Sequence, residues 1–219
     1  MENLQFGNRK GSVRILCLGA HSDDIEIGCG GLLLQMLRTR RAVEIDWVVF
    51  SAVGAREQEA RKSAALFLRG ARRHRLLISR FRDGFFPQQF GAIKEVFEEL
   101  KKSGSPDLVL THYRNDRHQD HRVLSDLVWN TFRDHFVLEY EVPKYDGDLG
   151  SPNAFVALDR RSCETKIRYL QRVFGTQRSK HWFDAETFRG LMRLRGMECR
   201  APHGYAEGFY CRKAAIRFE

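Results

Sequence analysis

Residues 13–31 read VRILCLGAHSDDIEIGCGG, and the fold prediction depends on the strand, loop and helix start that they contain. Residues 13–20 are a mostly apolar run rich in branched side chains, which predicts a buried strand. The polar residues 21–24 follow directly, and the glycines beyond them lead into a helix that we place at about residues 30–40. A strand that passes through a short polar loop into a helix is typical of a parallel α/β sheet.

The same alternation continues along the first two thirds of the chain. Further strands are predicted over residues 43–51, 76–79 and 107–111, and further helices over residues 56–68, 90–102 and about 120–132. Strands that alternate with helices require crossovers between parallel strands. We therefore predict a Rossmann-like α/β fold with a mainly parallel sheet and helices on both faces.

The last third of the chain is less regular. It begins with the loop EVPKYDGDLGSPN at residues 141–153, after which helical spacing returns at 165–174 and 187–194 and a strand is predicted at 206–212. So short a segment is better suited to capping a domain than to folding as a second one. We therefore predict a single domain over residues 1–219 with a C-terminal cap.

Composition and charge limit the function classes. Hydrophobic residues make up 42% and charged residues 30% of the 219, which is ordinary for a globular protein. The formal net charge is +9, but the basic residues are scattered, so we expect a solvated surface and no nucleic-acid partner. The five cysteines form no CxxC pair, and we see no bilayer-spanning run or secretion signal. We expect a cytoplasmic protein with reduced thiols. The sequence does not determine its oligomeric state, and a homo-oligomer is one of the open alternatives.

Two polar motifs follow the first and fourth strands. The first strand ends in HSDD (residues 21–24), and a short loop after the fourth strand carries HQDH (residues 118–121). In a sheet of order 3-2-1-4-5, strands 1 and 4 are neighbours at the point where the winding reverses, and ligands bind in the crevice there. The two motifs are therefore expected to face one another across one site.

The residue types in the two motifs fit a metal centre. A catalytic zinc site takes three protein ligands, drawn from imidazole and carboxylate groups, and keeps one position open. His21 and Asp24 are three residues apart on a tight turn and can reach one ion, while His121 supplies a third ligand from across the crevice. We predict zinc, although the spacing fits Fe²⁺ or another divalent ion equally well.

The remaining members of the motifs suit proton transfer. Asp23 lies beside a ligand and is placed to take a proton from water, and His118, three residues before His121, can reach the other side of a substrate carbonyl. Asp120 is placed to orient His118. Two simpler interpretations stay open, in which the aspartates cap the first and fourth helices and His112 is an ordinary loop histidine.

At these motifs the chain resembles the PIG-L/LmbE-like family of zinc deacetylases. The family's AHPDD motif is similar to residues 20–24, and its HPDH motif is similar to residues 118–121. Weaker matches are REQEA at 56–60, FRDG at 81–84 and AEGFY at 206–210. Two positions depart from the pattern, because Ser22 and Gln119 stand where the family motifs have proline.

The resemblance implies a function and a role for each matched residue. The function is the zinc-dependent removal of an acetyl group from an N-acetylated amino sugar, an N-acetylglucosamine-type conjugate. The implied zinc ligands are His21, Asp24 and His121, and the implied general base is Asp23. His118 is implied to be the acid or the oxyanion-stabilising group, with Asp120 beside it. Arg56 and Asp83 are implied to bind sugar hydroxyls, although an ion pair of Arg56 with Glu59 or Asp83 explains them equally well. The alternative functions are a metal-dependent phosphoesterase acting on a nucleotide or nucleic acid, and a sugar-binding protein without activity.

Overall fold

The computed structural model describes residues 12–39 and 42–215. The segment before residue 12, and Arg40, where we expected the first helix to end, lie outside the described residues. Seven strands within the described ranges form one sheet. In chain order they are β1 (Val13–His21), β2 (Val43–Ser51), β3 (Arg73–Ile78), β4 (Leu108–His112), β5 (Phe136–Tyr140), β6 (Ala154–Leu158) and β7 (Tyr205–Cys211).

Six α-helices accompany these strands in the described ranges. They are α1 (Asp24–Thr39), α2 (Ala55–Phe67), α3 (Phe90–Lys102), α4 (Gln119–Thr131), α5 (Arg160–Val173) and α6 (Ala185–Glu198). No helix in residues 12–39 or 42–215 is both long and apolar enough to cross a membrane.

The strand order across the sheet is β3-β2-β1-β4-β5-β7-β6. The first five strands pair in parallel in the doubly wound order 3-2-1-4-5, in which β1 and β4 are neighbours as expected, although no strand was predicted where β5 lies. Strand β7 runs antiparallel to both β5 and β6. The predicted mainly parallel α/β fold is therefore confirmed. The C-terminal third extends the sheet by two strands, of which β7 confirms the strand predicted at residues 206–212 and β6 was not predicted.

Alternation along β1 fills a core on each face of the sheet. Leu16 and Leu18 pack in one core with residues of α3 and α4, whereas Ile15 and Cys17 face a second core that α1, α2 and α5 cover. All four side chains are at most 3% exposed. Burial of one such aliphatic side chain contributes roughly 1.5–3 kcal/mol. The strand that carries the candidate site is therefore held firmly on both faces.

Helix α1 begins at Asp24, about six residues earlier than predicted. We expected the glycines to lead into the helix and to allow its close packing, although glycine disfavours helix interiors. In the structure they allow close packing: a Cβ at Gly28 would lie 2.1 Å from Tyr140 Cδ2, and one at Gly31 would lie 2.5 Å from Leu158 Cδ1. Tertiary packing thus overrides local propensity and draws α1 against the sheet.

A buried ion pair fastens the same segment of α1 to the C-terminal third. Lys166 donates to the Ile27 carbonyl and lies 2.7 Å from the Glu207 carboxylate. Glu207 accepts hydrogen bonds of 2.7 Å from the backbone N–H groups of both Gly31 and Leu32. Both side chains are 3% exposed, so each charge depends on the other for compensation. Glu207, the acidic residue of the AEGFY segment, therefore has a structural role.

Candidate metal centre and catalytic pocket

The sheet topology brings the two sequence motifs together. His21 is the last residue of β1, and β1 pairs directly with β4, whose last residue is His112. The loop after β4 then leads into α4, which begins at Gln119 and carries His121 in its first turn. The predicted convergence of the HSDD and HQDH motifs at one edge of the sheet is therefore observed.

Three of the predicted ligand atoms form a compact triangle. His21 Nδ1 lies 3.2 Å from His121 Nε2 and 3.3 Å from Asp24 Oδ2. His121 Nε2 lies 3.5 Å from the same Asp24 oxygen. Ligand atoms about 2.0–2.1 Å from a tetrahedral zinc ion are separated from one another by about 3.3 Å. The triangle therefore matches one face of a zinc coordination tetrahedron.

The hydrogen bonds behind the triangle turn lone pairs toward its centre. His121 Nδ1 lies 2.8 Å from Asp116 Oδ2, and His21 Nε2 lies 3.3 Å from Asp120 Oδ2. Because ionised carboxylates only accept, these contacts assign the ring protons to those nitrogens and leave His121 Nε2 and His21 Nδ1 as acceptors. Two imidazole lone pairs and a carboxylate oxygen then converge, and they repel one another unless a positive charge lies between them.

The titration behaviour of these groups agrees with a cation site. Burial lowers the pKa of His121 to about 4, so this ring is neutral at neutral pH, as a metal ligand must be. Burial also favours neutral His21, but Asp24 and the other carboxylates around it raise its pKa well above the usual value. The carboxylates around His21 therefore favour positive charge at this position.

Asp120 has a different partner from the one that we expected. Its carboxylate contacts His21 and accepts the backbone N–H groups of Gly84 and Phe86, at 2.7 Å and 3.0 Å. It is fully buried, and it does not hold the His118 ring, which was the predicted contact. Asp116 and Asp120 therefore act alike, since each contacts one candidate ligand histidine, and metal-binding histidines characteristically have such a partner.

His118 is the N-cap residue of α4. Its Nδ1 accepts from the Asp120 backbone N–H at 3.3 Å, so the ring proton of the neutral tautomer lies on Nε2. Burial, together with the neighbouring His21, lowers the pKa of His118. Its ring centroid lies 4.8 Å from that of His21 and 4.6 Å from that of His121. His118 therefore presents a neutral N–H donor beside the candidate metal site.

Asp23 lies between the candidate ligands His21 and Asp24 in the sequence, and its carboxylate is bound by Arg56. Arg56 Nη2 donates to Asp23 Oδ1 at 2.8 Å, and Arg56 Nε donates to Ser22 Oγ at 2.9 Å. Asp23 is 3% exposed, and burial raises the pKa of its carboxyl although Arg56 opposes the rise. The ion pair that we considered between Arg56 and Glu59 is not formed, because Glu59 instead accepts from Thr176.

Asp83 reaches the site from the loop after β3. Its Oδ1 lies 3.0 Å from His21 Nε2, and this hydrogen bond lowers the pKa of Asp83 to about 2. The side chain is 60% exposed, unlike the buried carboxylates nearby. Asp83 therefore keeps accepting capacity that faces solvent, where a substrate can meet it.

Sequence reasoning missed two members of the cluster. His112 is fully buried, its Nε2 lies 3.3 Å from Asp24 Oδ2, and its ring stacks on His121 at a centroid distance of 3.8 Å. Asp116 is 3% exposed and pairs with Lys144 at 2.9 Å as well as with His121. Their positions in the sequence could have indicated both residues, because His112 ends the strand beside β1 and Asp116 lies in the loop before the candidate ligand His121.

A pocket of about 380 Å³ opens over these groups. One wall is formed by the predicted site residues, among them Asp23, His118 and Asp83. The rest of the lining comes from the loop after β5 and from the segment between α5 and α6, and it consists of Val142, Lys144, Tyr145, Asp146, Gln177, Lys180 and Trp182. The predicted cap thus encloses the candidate site and supplies aromatic and cationic groups to it.

The fold and the site together define an α/β protein with a candidate metal centre at the switch point of its sheet. The family model described as "PIG-L: GlcNAc-PI de-N-acetylase" matches residues 16–132, more than half of the chain. The chain belongs to this family, as the resemblance indicated. The match covers both polar motifs and ends before the C-terminal third.

Solved structures with the same fold extend the similarity to nearly the whole chain. An N,N'-diacetylchitobiose deacetylase from Pyrococcus horikoshii is 20% identical with a TM-score of 0.64, over 91% of this chain and 84% of that one. The A40926 pseudoaglycone deacetylase is 19% identical with a TM-score of 0.69, over 93% and 99%. A 4-carboxy-2-hydroxymuconate hydratase from Pseudomonas putida KT2440 is 16% identical with a TM-score of 0.69, over 95% and 99%. At these identities the similarity establishes the fold and leaves the reaction to be argued from the site.

Proposed function

We propose that this protein is a zinc-dependent N-deacetylase that hydrolyses the acetamide of an N-acetylated amino sugar, an N-acetylglucosamine-type conjugate. The observation that carries the proposal is the triangle of His21 Nδ1, Asp24 Oδ2 and His121 Nε2, with edges of 3.2–3.5 Å. Membership of the PIG-L family and the deacetylases of the same fold support the reaction class. Fe²⁺ or another divalent ion suits the same ligands.

The chemistry needs a metal, a base and a donor. When bound by His21, Asp24 and His121, a divalent ion polarises the amide carbonyl and makes water a better nucleophile at neutral pH. Asp23 takes the proton from the attacking water, because it is a buried carboxylate beside the ligands whose pKa burial raises toward the working range. Its contact with Arg56 keeps it ionised before the reaction.

His118 acts on the oxygen of the substrate carbonyl. Nδ1 of the neutral His118 ring accepts a hydrogen bond from the Asp120 backbone N–H, so the ring proton is on Nε2. We assign to this Nε2–H group a hydrogen bond to the developing oxyanion. Since burial lowers the pKa of His118, we assign the protonation of the leaving amine to Asp23, which holds the proton that water gave up. Acetate and a free amino sugar result.

Recognition of the sugar is assigned to the pocket walls. Asp83 offers a carboxylate and Arg56 offers its remaining guanidinium nitrogen, so hydroxyl groups of the sugar find an acceptor and a donor. Trp182 and Tyr145, which also line the pocket, provide apolar surface for a ring. The conjugated group and its carrier stay undetermined, and we expect a small-molecule substrate and no nucleic acid.

Two other reactions serve as alternatives in the test. A phosphoesterase commonly uses two ions about 4 Å apart. Two of the three groups of potential ligands in the described residues share no residue, so the number of bound ions is a separate readout of the test. A hydratase reaction is the second alternative, because the fold is shared with a muconate hydratase.

The test is incubation of the zinc-loaded protein with a panel of N-acetylglucosaminides and nucleotide sugars. We expect equal amounts of new primary amine and acetate from at least one of them. The matched control is Asp23→Asn, which keeps the ligands and removes the base, and it should lose about 10²–10⁴-fold in turnover with unchanged zinc content. Release of phosphate, or hydration of an enol acid without amine release, would contradict the proposal.

A further inference from the structure

We infer that Ser22 and Arg56 form a positioning pair that holds the base Asp23 in its working orientation. This inference rests on the proposed function, because it takes Asp23 to be the base. Its basis is a pair of parallel hydrogen bonds: Arg56 Nε donates to Ser22 Oγ at 2.9 Å, and Arg56 Nη2 donates to Asp23 Oδ1 at 2.8 Å. One guanidinium edge thus spans two consecutive residues.

The geometry of the guanidinium group makes this contact restrictive. Nε and Nη2 lie in one rigid plane, so fixing Nε on Ser22 also fixes the direction in which Nη2 points. Ser22 is fully buried and Asp23 is 3% exposed, which leaves water little access to either contact. A single bond to Asp23 would leave Arg56 free to swing about the carboxylate, whereas the second bond prevents that rotation.

The contact with Arg56 occupies one oxygen of the Asp23 carboxylate and leaves the other available. Asp23 Oδ1 is taken by Arg56, and none of residues 12–39 or 42–215 donates a hydrogen bond to Oδ2. Asp23 lines the pocket together with all three proposed metal ligands, His21, Asp24 and His121. The oxygen that accepts a proton during the reaction is therefore Oδ2, and the pair prevents the two oxygens from exchanging places.

The backbone around Arg56 is shaped for this reach. Gly54 has φ of 58°, the left-handed region that glycine adopts without strain, and it turns the chain after β2 into α2. Arg56 follows as the second residue of α2, with its side chain 25% exposed at the pocket wall. It is thus partly shielded from solvent while it contacts the base.

The serine is a feature of this chain. Ser22 stands where the AHPDD motif of the family has proline, and a proline ring offers no hydroxyl to Arg56. The substitution therefore adds a contact that the family motif lacks. The proposed recognition of a sugar hydroxyl by Arg56 is left to Nη1, the nitrogen that neither Ser22 nor Asp23 uses.

Steady-state kinetics of Ser22→Ala and Arg56→Ala test the inference, with the best sugar substrate and with a small N-alkylacetamide. One neutral hydrogen bond contributes about 0.5–1.5 kcal/mol, so Ser22→Ala should lower kcat about 2- to 13-fold with KM unchanged. Arg56→Ala should lower kcat about 10- to 100-fold on both substrates. Guanidinium chloride at millimolar concentration should restore part of the Arg56→Ala rate, because it returns the charge without the side chain.

Two matched controls separate this role from a loss of stability. Ser125→Ala removes a buried hydroxyl that has no hydrogen-bond partner among the described residues, and Arg61→Ala removes an arginine of α2 that pairs only with Glu57. Both should keep the wild-type kcat. A rise in KM for the sugar alone, with kcat preserved, would overturn the inference and make Arg56 a substrate-reading residue.

Crystal structures of the wild-type protein and Ser22→Ala give a readout that needs no activity. We expect Arg56 to contact both residues in the wild type, and Asp23 to adopt a new or mixed orientation in the variant. An unchanged Asp23 in the variant would overturn the inference. Absence of amine release from the wild type on every acetamide would instead refute the proposed function, and the crystal comparison would still decide whether Ser22 orients Arg56 and Asp23.

Discussion

Asp116→Asn tests the arrangement behind the metal ligands, and it concerns a residue to which the sequence had given no role. Asp116 Oδ2 lies 2.8 Å from His121 Nδ1 and 2.9 Å from Lys144 Nζ. The amide of asparagine has the same shape and still accepts the His121 proton, but it carries no charge and forms a weaker hydrogen bond. His121 then becomes a poorer electron donor and is less firmly oriented.

The expected result is a loss of metal affinity with little change in fold. Replacing the partner of a ligand histidine typically weakens metal binding 10- to 100-fold, which corresponds to about 1.4–2.7 kcal/mol. The measurement is a competition titration of zinc between the protein and a fluorescent chelator. Turnover at saturating zinc should fall less than the affinity does.

Asp148→Asn is the matched control for this prediction. Asp148 lies 2.5 Å from Lys144 and accepts from the Arg117 backbone N–H, but it contacts none of the three predicted ligands. It should therefore retain the wild-type zinc affinity. Equal affinities for the wild type and Asp116→Asn would refute the role of Asp116, and an equal loss in both variants would mean that the loop as a whole, and not the His121 contact, supports the site.

Three further predictions concern the donor, the sugar and the fold. His118→Ala should lose about 10²–10³-fold in kcat, and His118→Gln should lose less because it keeps an N–H donor; equal losses in steady-state assays would argue against donation to the oxyanion. Asp83→Ala should lower kcat/KM for the sugar about 10- to 100-fold while a small acetamide is hydrolysed as before, and a parallel loss on both substrates would assign Asp83 to the support of His21. Lys166→Ala should lower the free energy of unfolding, measured by urea denaturation, by about 3–5 kcal/mol, because it leaves the buried Glu207 carboxylate without its partner. A decrease below about 1 kcal/mol would contradict the structural role of this ion pair.

Local sequence patterns predicted the first two thirds of the fold well. The bounds of β2 and α3 agree with the prediction at both ends, since each has the alternation or the helical spacing of its own class. Strand β5 was missed because residues 136–140 include Glu139, whose charge argues against a fully buried strand. Glu139 is 0% exposed, and Arg212 and Trp129 compensate it from distant parts of the chain. No local pattern contains those partners.

The sequence predicted those features of the candidate site that follow from the order of the strands in the sheet. The HSDD and HQDH motifs had to meet once β1 and β4 were neighbours, and the triangle of ligand atoms follows from that. The partner of each side chain was not predictable, because it depends on rotamers and on loops that sequence spacing does not determine. Asp120 accordingly holds His21 where we expected His118, and Arg56 holds Asp23 where we had considered Glu59 or Asp83.

The proposed reaction requires that His21, Asp24 and His121 hold one catalytic ion. The decisive measurement strips the protein with a chelator and titrates zinc back while amine release and bound metal are followed together. We predict that activity rises in proportion to bound zinc and levels off at one ion per chain, and that His21→Ala neither retains the ion nor regains activity. Full activity in the stripped protein, a requirement for two ions, or wild-type zinc content in His21→Ala would contradict the account.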